Sequence, residues 1–339
     1  LYLIILLAKH LILKVNISIF GNNITLIFFI ILKIFNMYKK MIVKVAGGLG
    51  NQMFMYANAL SLSKKLNYEL FIDDTSGFFQ SKNKTYERNY ALNIFNLSAY
   101  LAKKQDKYDN HLSHNYKKLL IIFDKYKKKK SFLSDFIISK KKTNFRKIDV
   151  PLSNNVYLQG NFESEKYFID MKDELIKQFK IKENFINKNN KYINLLNESN
   201  SVSIHIRRNR FVDPDYFTNR GSEPKKDIKL QDIINYIKKA IIYFEKKIDN
   251  PKFFIWSNNF SDLDNVFDKK KFTFIENNDH INDLYLLNFS KHFIVSPSTF
   301  HWWGAWLNQC PNKICVRPPD YLNASNNIDF WPESWIDIN

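Results

Sequence analysis

The sequence predicts an α/β protein of two doubly wound, parallel-sheet domains. Three observations carry that expectation: the length, a strand-loop-helix unit that opens at Met41, and three apolar strand runs in the second half that each end in a polar cluster. At 339 residues the chain exceeds what one hydrophobic core usually supports. Strands that alternate with helical segments pair in parallel, because each crossover helix returns the chain to the same edge of the sheet. With 45% hydrophobic and 16% aromatic residues the chain has ample core material and is not a disordered one.

Residues 1–40 form an apolar leader. Ile24 to Leu32 is nearly all apolar, yet Lys9, His10, Lys14, Gly21, Asn22 and Asn23 interrupt the segment short of the roughly 20 apolar residues that a membrane helix needs. The leader reads as translated upstream sequence with a start at Met37 or Met41, and a weak anchor is the alternative. Met41 to Ala46 is a strand, broken by Gly47-Gly48-Leu49-Gly50. Asn51 then opens a helix with Met53, Tyr56, Ala57 and Leu60 on one face.

Leu70 to Ile72 is a second strand that ends in Asp73-Asp74. The Lys-rich stretch from Tyr100 to Lys147 holds apolar patches with the look of short helices. Val156 to Leu158 is a strand, followed by Gly160 and a helix over Lys166–Phe179. The Asn- and Lys-rich stretch from Glu183 to Asn200 marks the crossing, which gives domains at 41–180 and 181–339.

In the second half, Val202–Ile206 ends at Arg207-Arg208, Phe253–Trp256 at Ser257-Asn258-Asn259, and Phe293–Val295 at Ser296-Pro297-Ser298-Thr299. Helical segments over Asp232–Lys246 and Asn282–Phe289 separate them. In an open parallel sheet the ligand lies beyond the carboxyl ends of the strands, where these polar clusters fall.

Strand alternation sends His205 and Arg207 to one face and Ile206 to the other. Paired guanidinium forks match phosphate oxygens in a bidentate way, so a diphosphate suits Arg207 and Arg208; ion pairs with Asp213 or Asp215 are the plainer reading. Ser298 or Thr299 caps the helix that follows, and a helix amino end is an anion site. The Trp-rich run Trp302-Trp303-Gly304-Ala305-Trp306 reads as a core helix packed on the sheet. Gly48, Gly50 and Asn51 form a glycine loop without the spacing of a dinucleotide fold or a P-loop. Its glycines still permit close backbone approach to a ligand.

Lys and Arg number 51 against 33 Asp and Glu, a net charge of +18 that suits anionic partners. Runs such as Lys127–Lys130 and Lys140–Lys142 read as solvated faces. No zinc-finger, RNA-recognition or basic-zipper signature accompanies the charge, so nucleic acid is not the expected partner; peripheral membrane contact stays open. Cys310 and Cys315 stand without a second pair or a His cluster, so the sequence supports neither a zinc site nor a disulfide framework. Asp213-Pro214-Asp215 spells the D-x-D of metal-dependent transferases, but an Arg pair neutralises a diphosphate without a metal.

Four segments carry a resemblance: Gly47-Gly48-Leu49-Gly50-Asn51-Gln52-Met53-Phe54; Leu158-Gln159-Gly160 with Glu163 to Phe168; His205-Ile206-Arg207-Arg208; and Ser298 to Trp306. From about Met41 onward the chain resembles glycosyltransferase family 11, the α-1,2-fucosyltransferases. The resemblance implies a GT-B fold of two Rossmann-like domains with a cleft between them, the first facing acceptor and the second holding GDP-fucose. It implies inversion at the anomeric carbon and no obligatory metal or other cofactor. His205 and Arg207 would contact the nucleotide and diphosphate, Arg208 would support them, and Ser298 and Thr299 would bind phosphate. The family's Arg-Arg is often followed by Gly-Asp, here Asn209-Arg210, and its Ser-Asp-Asp-like segment is here Ser257-Asn258-Asn259. An Asn accepts from guanine without the charge that strengthens the bond.

The expected reaction is attack of an acceptor hydroxyl, the 2-OH of a galactoside, on the anomeric carbon while Arg207 stabilises the departing phosphate. Asp215 is a candidate base, with Asp73 and Glu163 as others. The expected setting is cell-surface glycan synthesis in the cytoplasm, with the inner face of the membrane as an alternative location. Two rivals remain: a transferase using another nucleotide sugar, and a non-catalytic membrane-associated sugar-nucleotide or polyanion binder.

Overall fold

The computed structural model describes residues 39–79, 88–134, 145–188, 190–206, 230–261, 263–322 and 328–338. Two open sheets form, and every strand pair within them is parallel. The first contains β1 (Lys40–Lys44), β2 (Glu69–Asp73), β3 (Tyr100–Leu101), β4 (Lys130–Ser134) and β5 (Leu152–Gln159), in the order β3-β2-β1-β5-β4. The second contains β6 (Asn200–Ile206), β7 (Pro251–Ser257), β8 (Phe272–Phe274), β9 (His292–Ile294), β10 (Cys315–Arg317) and β11 (Ile336–Asp337), in the order β11-β10-β9-β6-β7-β8. The helices are α1 (Leu49–Leu66), α2 (His111–Asp124), α3 (Lys172–Gln178), α4 (Tyr192–Glu198), α5 (Leu230–Lys247), α6 (His280–Leu286) and α7 (Thr299–Leu307).

Each sheet reverses its winding once. The first runs outward from β1 to β2 and β3 and then places β5 on the other side of β1. The second runs from β6 to β7 and β8 and places β9 on the other side of β6. The loops after β1 and β5, and those after β6 and β9, therefore flank the two switch points, where neighbouring connections leave in opposite directions and open a crevice.

Central strands are apolar because both faces are covered. Met41, Ile42 and Val43 of β1 are all buried. On β6 the two faces differ: Val202, Ile204 and Ile206 join the core that α5 covers with Ile233, Ile237, Ala240 and Phe244, whereas Ser201, Ser203 and His205 are buried on the other side. Helix α5 meets the sheet through apolar residues at helical spacing.

The Trp-rich helix α7 packs on its own sheet as expected, where His301 meets Ser203, His205 and Phe293, and it also reaches beyond that sheet. It leaves β9 and packs against α1 of the first sheet's unit, so one hydrophobic core runs through both halves. Phe54 on α1 lies 4.5 Å from Trp302 and 5.0 Å from Trp303 between ring centroids, and Phe168 stacks on Trp303. All three indoles donate: Trp302 Nε1 to the Phe330 carbonyl, Trp303 Nε1 to the Gly50 carbonyl and Trp306 Nε1 to Glu165 Oε2. Lys313 Nζ, between the two free cysteines, donates to the Ala305 and Asn308 carbonyls and so satisfies the carboxyl end of α7.

Other elements depart from expectation for local reasons. Among its described residues, the stretch expected as short helices from Tyr100 holds a 3-10 turn at Lys104–Asp106 and the helix α2, with β4 after them. The helix expected from Lys166 starts only at Lys172, after tight turns that Ser164 caps by accepting from the Lys166 amide. Short strands β8, β10 and β11 carry too few residues to show a period.

Gly50 is where α1 and α7 touch by backbone. A Cβ there would sit 2.6 Å from the Thr299 carbonyl carbon and 2.7 Å from the Phe300 nitrogen. At Gly304 the conflict is with the Leu287 side chain, 2.3 Å from its Cδ1. Gly50→Ala is expected to destabilise by about 3 kcal/mol and Gly304→Ala by nearer 1 kcal/mol, because a rotamer yields more easily than a helix backbone. Denaturant unfolding of the two variants checks the order.

Candidate active site

The site is built where the loops after β1 and β9 meet. Gly47 takes φ +75°, which lets the chain turn out of β1, and Gly48 is the N-cap of α1 with its carbonyl accepting from the Asn51 and Gln52 amides. Across the seam, Ser298 is the N-cap of α7. Thr299 Oγ1 donates to Asn51 Oδ1 at 2.8 Å, so the two helix amino ends are joined side chain to side chain. Both helices bring unpaired amides and the positive ends of their dipoles to one place, which favours an anion.

Gln52, buried beside Asn51, fixes a third segment. Its Nε2 donates to the Gly47 and Asn89 carbonyls and its Oε1 accepts from the Ala91 amide. The clamp holds Arg88 near the glycine loop, with Nη1 3.9 Å from where a Cβ at Gly48 would lie. Arg88 is a candidate site residue that the motifs missed. It stands in a segment without strand or helix periodicity, and only the fold brings its charge to the loop.

On the second sheet, His205 Nδ1 lies 3.0 Å from Ser296 Oγ, and His205 stacks on His301 at 5.1 Å between centroids. His301 Nε2 lies 3.0 Å from Ser203 Oγ. Burial first, and then the neighbouring His205 ring, holds His301 well below the usual imidazole range, so it stays neutral. Several buried polar atoms at this edge find no partner among the described residues: Ser298 Oγ, His301 Nδ1 and Trp256 Nε1, the last on β7 in register with His205. Ser298 is an N-cap whose hydroxyl makes no capping bond. Native structures rarely leave such groups unpaired.

The structure thus brings Gly48, Gly50, Asn51, Ser298, Thr299 and His205 together around one seam. Ser257 and Asn258 stand at the next strand end, since Ile206 pairs with Ser257. The Ser257 hydroxyl is engaged locally with Asn259, and Asn258 is exposed. Arg207, Arg208 and Asp215 lie outside the described residues.

Asp73 ends β2 fully buried. One carboxylate oxygen accepts from the Thr75 and Ser76 amides, and the other from the Ser76 and Tyr157 hydroxyls at 2.5 and 2.6 Å. Those bonds make Asp73 a loop anchor rather than a free base. Glu163 is half-buried in the loop after β5. Nearby, Lys117 Nζ contacts Gln159 Oε1 at 3.3 Å, and burial, helped by Lys44, pushes its pKa down to about 8.

Two parallel sheets with their helices, joined through α1 and α7, give the chain a GT-B-like α/β fold. The chain belongs to glycosyl transferase family 11, whose family profile matches residues 22–339. It is 28% identical over 310 residues to the O-antigen biosynthesis glycosyltransferase WbnK of Escherichia coli, covering 87% of this chain and 99% of that protein. It is also 28% identical over 316 residues to an Escherichia coli alpha-1,2-colitosyltransferase, covering 88% and 98%. The crystal structure of NodZ alpha-1,6-fucosyltransferase soaked with GDP-fucose aligns at a TM-score of 0.44 and 12% identity over 80% of this chain and 93% of that one.

The depressed His301 gives a stability slope with pH. Below about 6.5 the unfolded imidazole binds a proton that the native ring does not, so acidification favours unfolding, while above 6.5 the two states bind equally. Native stability is expected to fall from pH 7 to pH 5, and His301→Gln to show a shallower fall. Urea midpoints at both pH values check this; parallel slopes would contradict the assignment.

Proposed function

We propose that the chain is an inverting transferase that moves fucose from GDP-fucose to a galactoside 2-hydroxyl in O-antigen synthesis. The observation that carries this reading is the Ser298 hydroxyl, without a partner among the described residues, buried at the junction of two helix amino ends and joined through Thr299 to the glycine loop. That junction suits the diphosphate of a nucleotide sugar. Membership of family 11 supports a glycosyl donor, and the O-antigen biosynthesis relative from Escherichia coli supports a role in O-antigen synthesis.

In the reaction, the acceptor oxygen forms its bond to the anomeric carbon from the face opposite the diphosphate as the bond to the leaving phosphate oxygen breaks. The acceptor proton passes to a carboxylate, for which Asp215 and Glu163 remain the candidates. The charge that grows on the leaving GDP is met by the helix ends, Ser298, Thr299 and, on the sequence motif, Arg207, with support from Arg208. No metal is required in this scheme. A colitose donor is a second reading, favoured by the colitosyltransferase relative. It keeps the same seam and changes only the groups that face the sugar ring.

Ser298→Ala removes a hydroxyl that has no partner among the described residues, so stability is expected to stay within about 0.5 kcal/mol of the parent. GDP binding should weaken about tenfold or more, the worth of one hydrogen bond to a charged group. Calorimetry with GDP reads both binding and competence; unchanged affinity would remove the diphosphate from this seam.

Arg207→Ala is expected to lose about 10²–10³ in turnover. GDP and GDP-fucose, but not UDP or CMP sugars, should raise the melting temperature. Transfer to a galactoside in EDTA, with the linkage determined, tests the metal-free scheme and the 2-hydroxyl together.

A further inference from the structure

Helix α2 is inside out. Its buried residues are Lys117 and Asp124, while Leu112 is 85% exposed, Tyr116 59%, Leu119 54% and Phe123 63%, with Tyr126 just beyond at 85%. The spacing of these residues places them in one stripe along the helix. A helix of a water-soluble domain turns such a stripe inward, and a contiguous exposed apolar surface of this kind marks an interaction site.

The helix is firmly built despite that inversion. Asn110 and Ser113 form a capping box at its start. At its end, Asp124 accepts from the Ser131 and Phe132 amides, and Lys130 Nζ donates to the carbonyls of Asp124, Lys125 and Lys127. Inside, the Lys117 ammonium lies 5.5 Å from the Tyr108 ring and 5.4 Å from the Tyr157 ring. The stripe is thus held outward by design of both ends and of the inner face.

The charge around the stripe identifies the occupant. Lys118, Lys125, Lys127, Lys128 and Lys129 are exposed beside it, and Asp124, the one acid between residues 111 and 130, is buried. Two copies of this face would bring lysines against lysines, on a chain of net charge +18. A coiled-coil partner needs roughly three to four heptads, more than this helix offers. An anionic bilayer meets both features: the apolar side chains enter the headgroup boundary and the lysines meet lipid phosphates.

We propose that α2 is a membrane-docking helix that lies in the surface of a bilayer rich in anionic phospholipid, with Leu112, Tyr116, Leu119, Phe123 and Tyr126 inserted and the lysines around them on the headgroups. Because Lys117 on the inner face reaches Gln159 at the end of β5, docking holds the carboxyl edge of the first sheet at the bilayer surface. The inference stands apart from donor and acceptor identity.

The test is flotation of the full chain with vesicles of phosphatidylcholine alone or with phosphatidylglycerol added, alongside light scattering in solution. The parent chain should float with the anionic vesicles and remain behind with the neutral ones. Leu119→Ser with Phe123→Ser, and separately Lys127→Gln with Lys128→Gln and Lys129→Gln, should each reduce binding about tenfold or more. Circular dichroism and GDP affinity should match the parent, which shows that the fold is intact. Absence of the parent from anionic vesicles overturns the proposal. So does full binding by both variants, which would assign the contact to residues 1–40 or another surface, and so does a dimer that the apolar variant alone dissolves.

Discussion

The close approach of α1 and α7 is the constraint on which the rest of the molecule depends. Gly50 has no side chain, so the Thr299 backbone comes within contact distance of its Cα, and Trp303 closes the gap by donating to the Gly50 carbonyl. Around that point the aromatic rings of Phe54, Phe168, Trp302, Trp303 and Trp306 interlock. Large flat side chains fill volume at low conformational cost, and their indole N–H groups each find an acceptor on a different segment. The two sheets are therefore joined by a shared core rather than by a loose hinge.

That seam also sets the electrostatics. Two helices whose amino ends point at one place would repel each other's dipoles if nothing anionic lay between them. The Thr299 to Asn51 hydrogen bond joins the two ends, and Ser298 Oγ, buried beside it, has no partner among the described residues. Arg88 adds a charge of the same sign beside the glycine loop. These groups are of the kind that meet a phosphate oxygen, since helix amino ends, a hydroxyl and a guanidinium all favour an anion.

Much of this was legible in the residues. Strand runs that end in polar clusters, as at His205 and at Ser296 to Thr299, announced a parallel sheet with its chemistry at the carboxyl edge, and Gly47 to Asn51 announced a tight strand-to-helix loop. What could not be read were relations across the chain. Nothing in Trp302 to Trp306 reveals that a helix laid on its own sheet also plugs into a distant helix, because both contacts bury aromatic rings. Arg88 carries no local pattern, and its place depends on Gln52 bonds to Asn89 and Ala91. Asp73 looked like a free acid at a strand end, and only the hydroxyls of Ser76 and Tyr157 reveal that its oxygens are taken. The lysines and apolar residues of α2 have an ordinary amphipathic spacing, so which stripe faces inward is decided by Tyr108 and Tyr157 from other elements.

The polar face of β6 explains how so much chemistry is held in register. Alternation along the strand puts Ser201, Ser203 and His205 on one side, and each is tied to a different segment: Ser201 Oγ donates to Leu196 and accepts from Lys291, Ser203 meets His301, and His205 meets Ser296. Apolar residues of equal volume would pack as tightly, but they would not tell the turn after β9 where to stop. Hydrogen bonds in a low-dielectric interior are directional and costly to misplace, so a shift of β9 against β6 by one residue would leave buried rings and hydroxyls without partners. The ladder fixes the position of Ser298 and Thr299 relative to the end of β6, and with it the distance between the histidine-bearing strand and the helix ends that face the glycine loop.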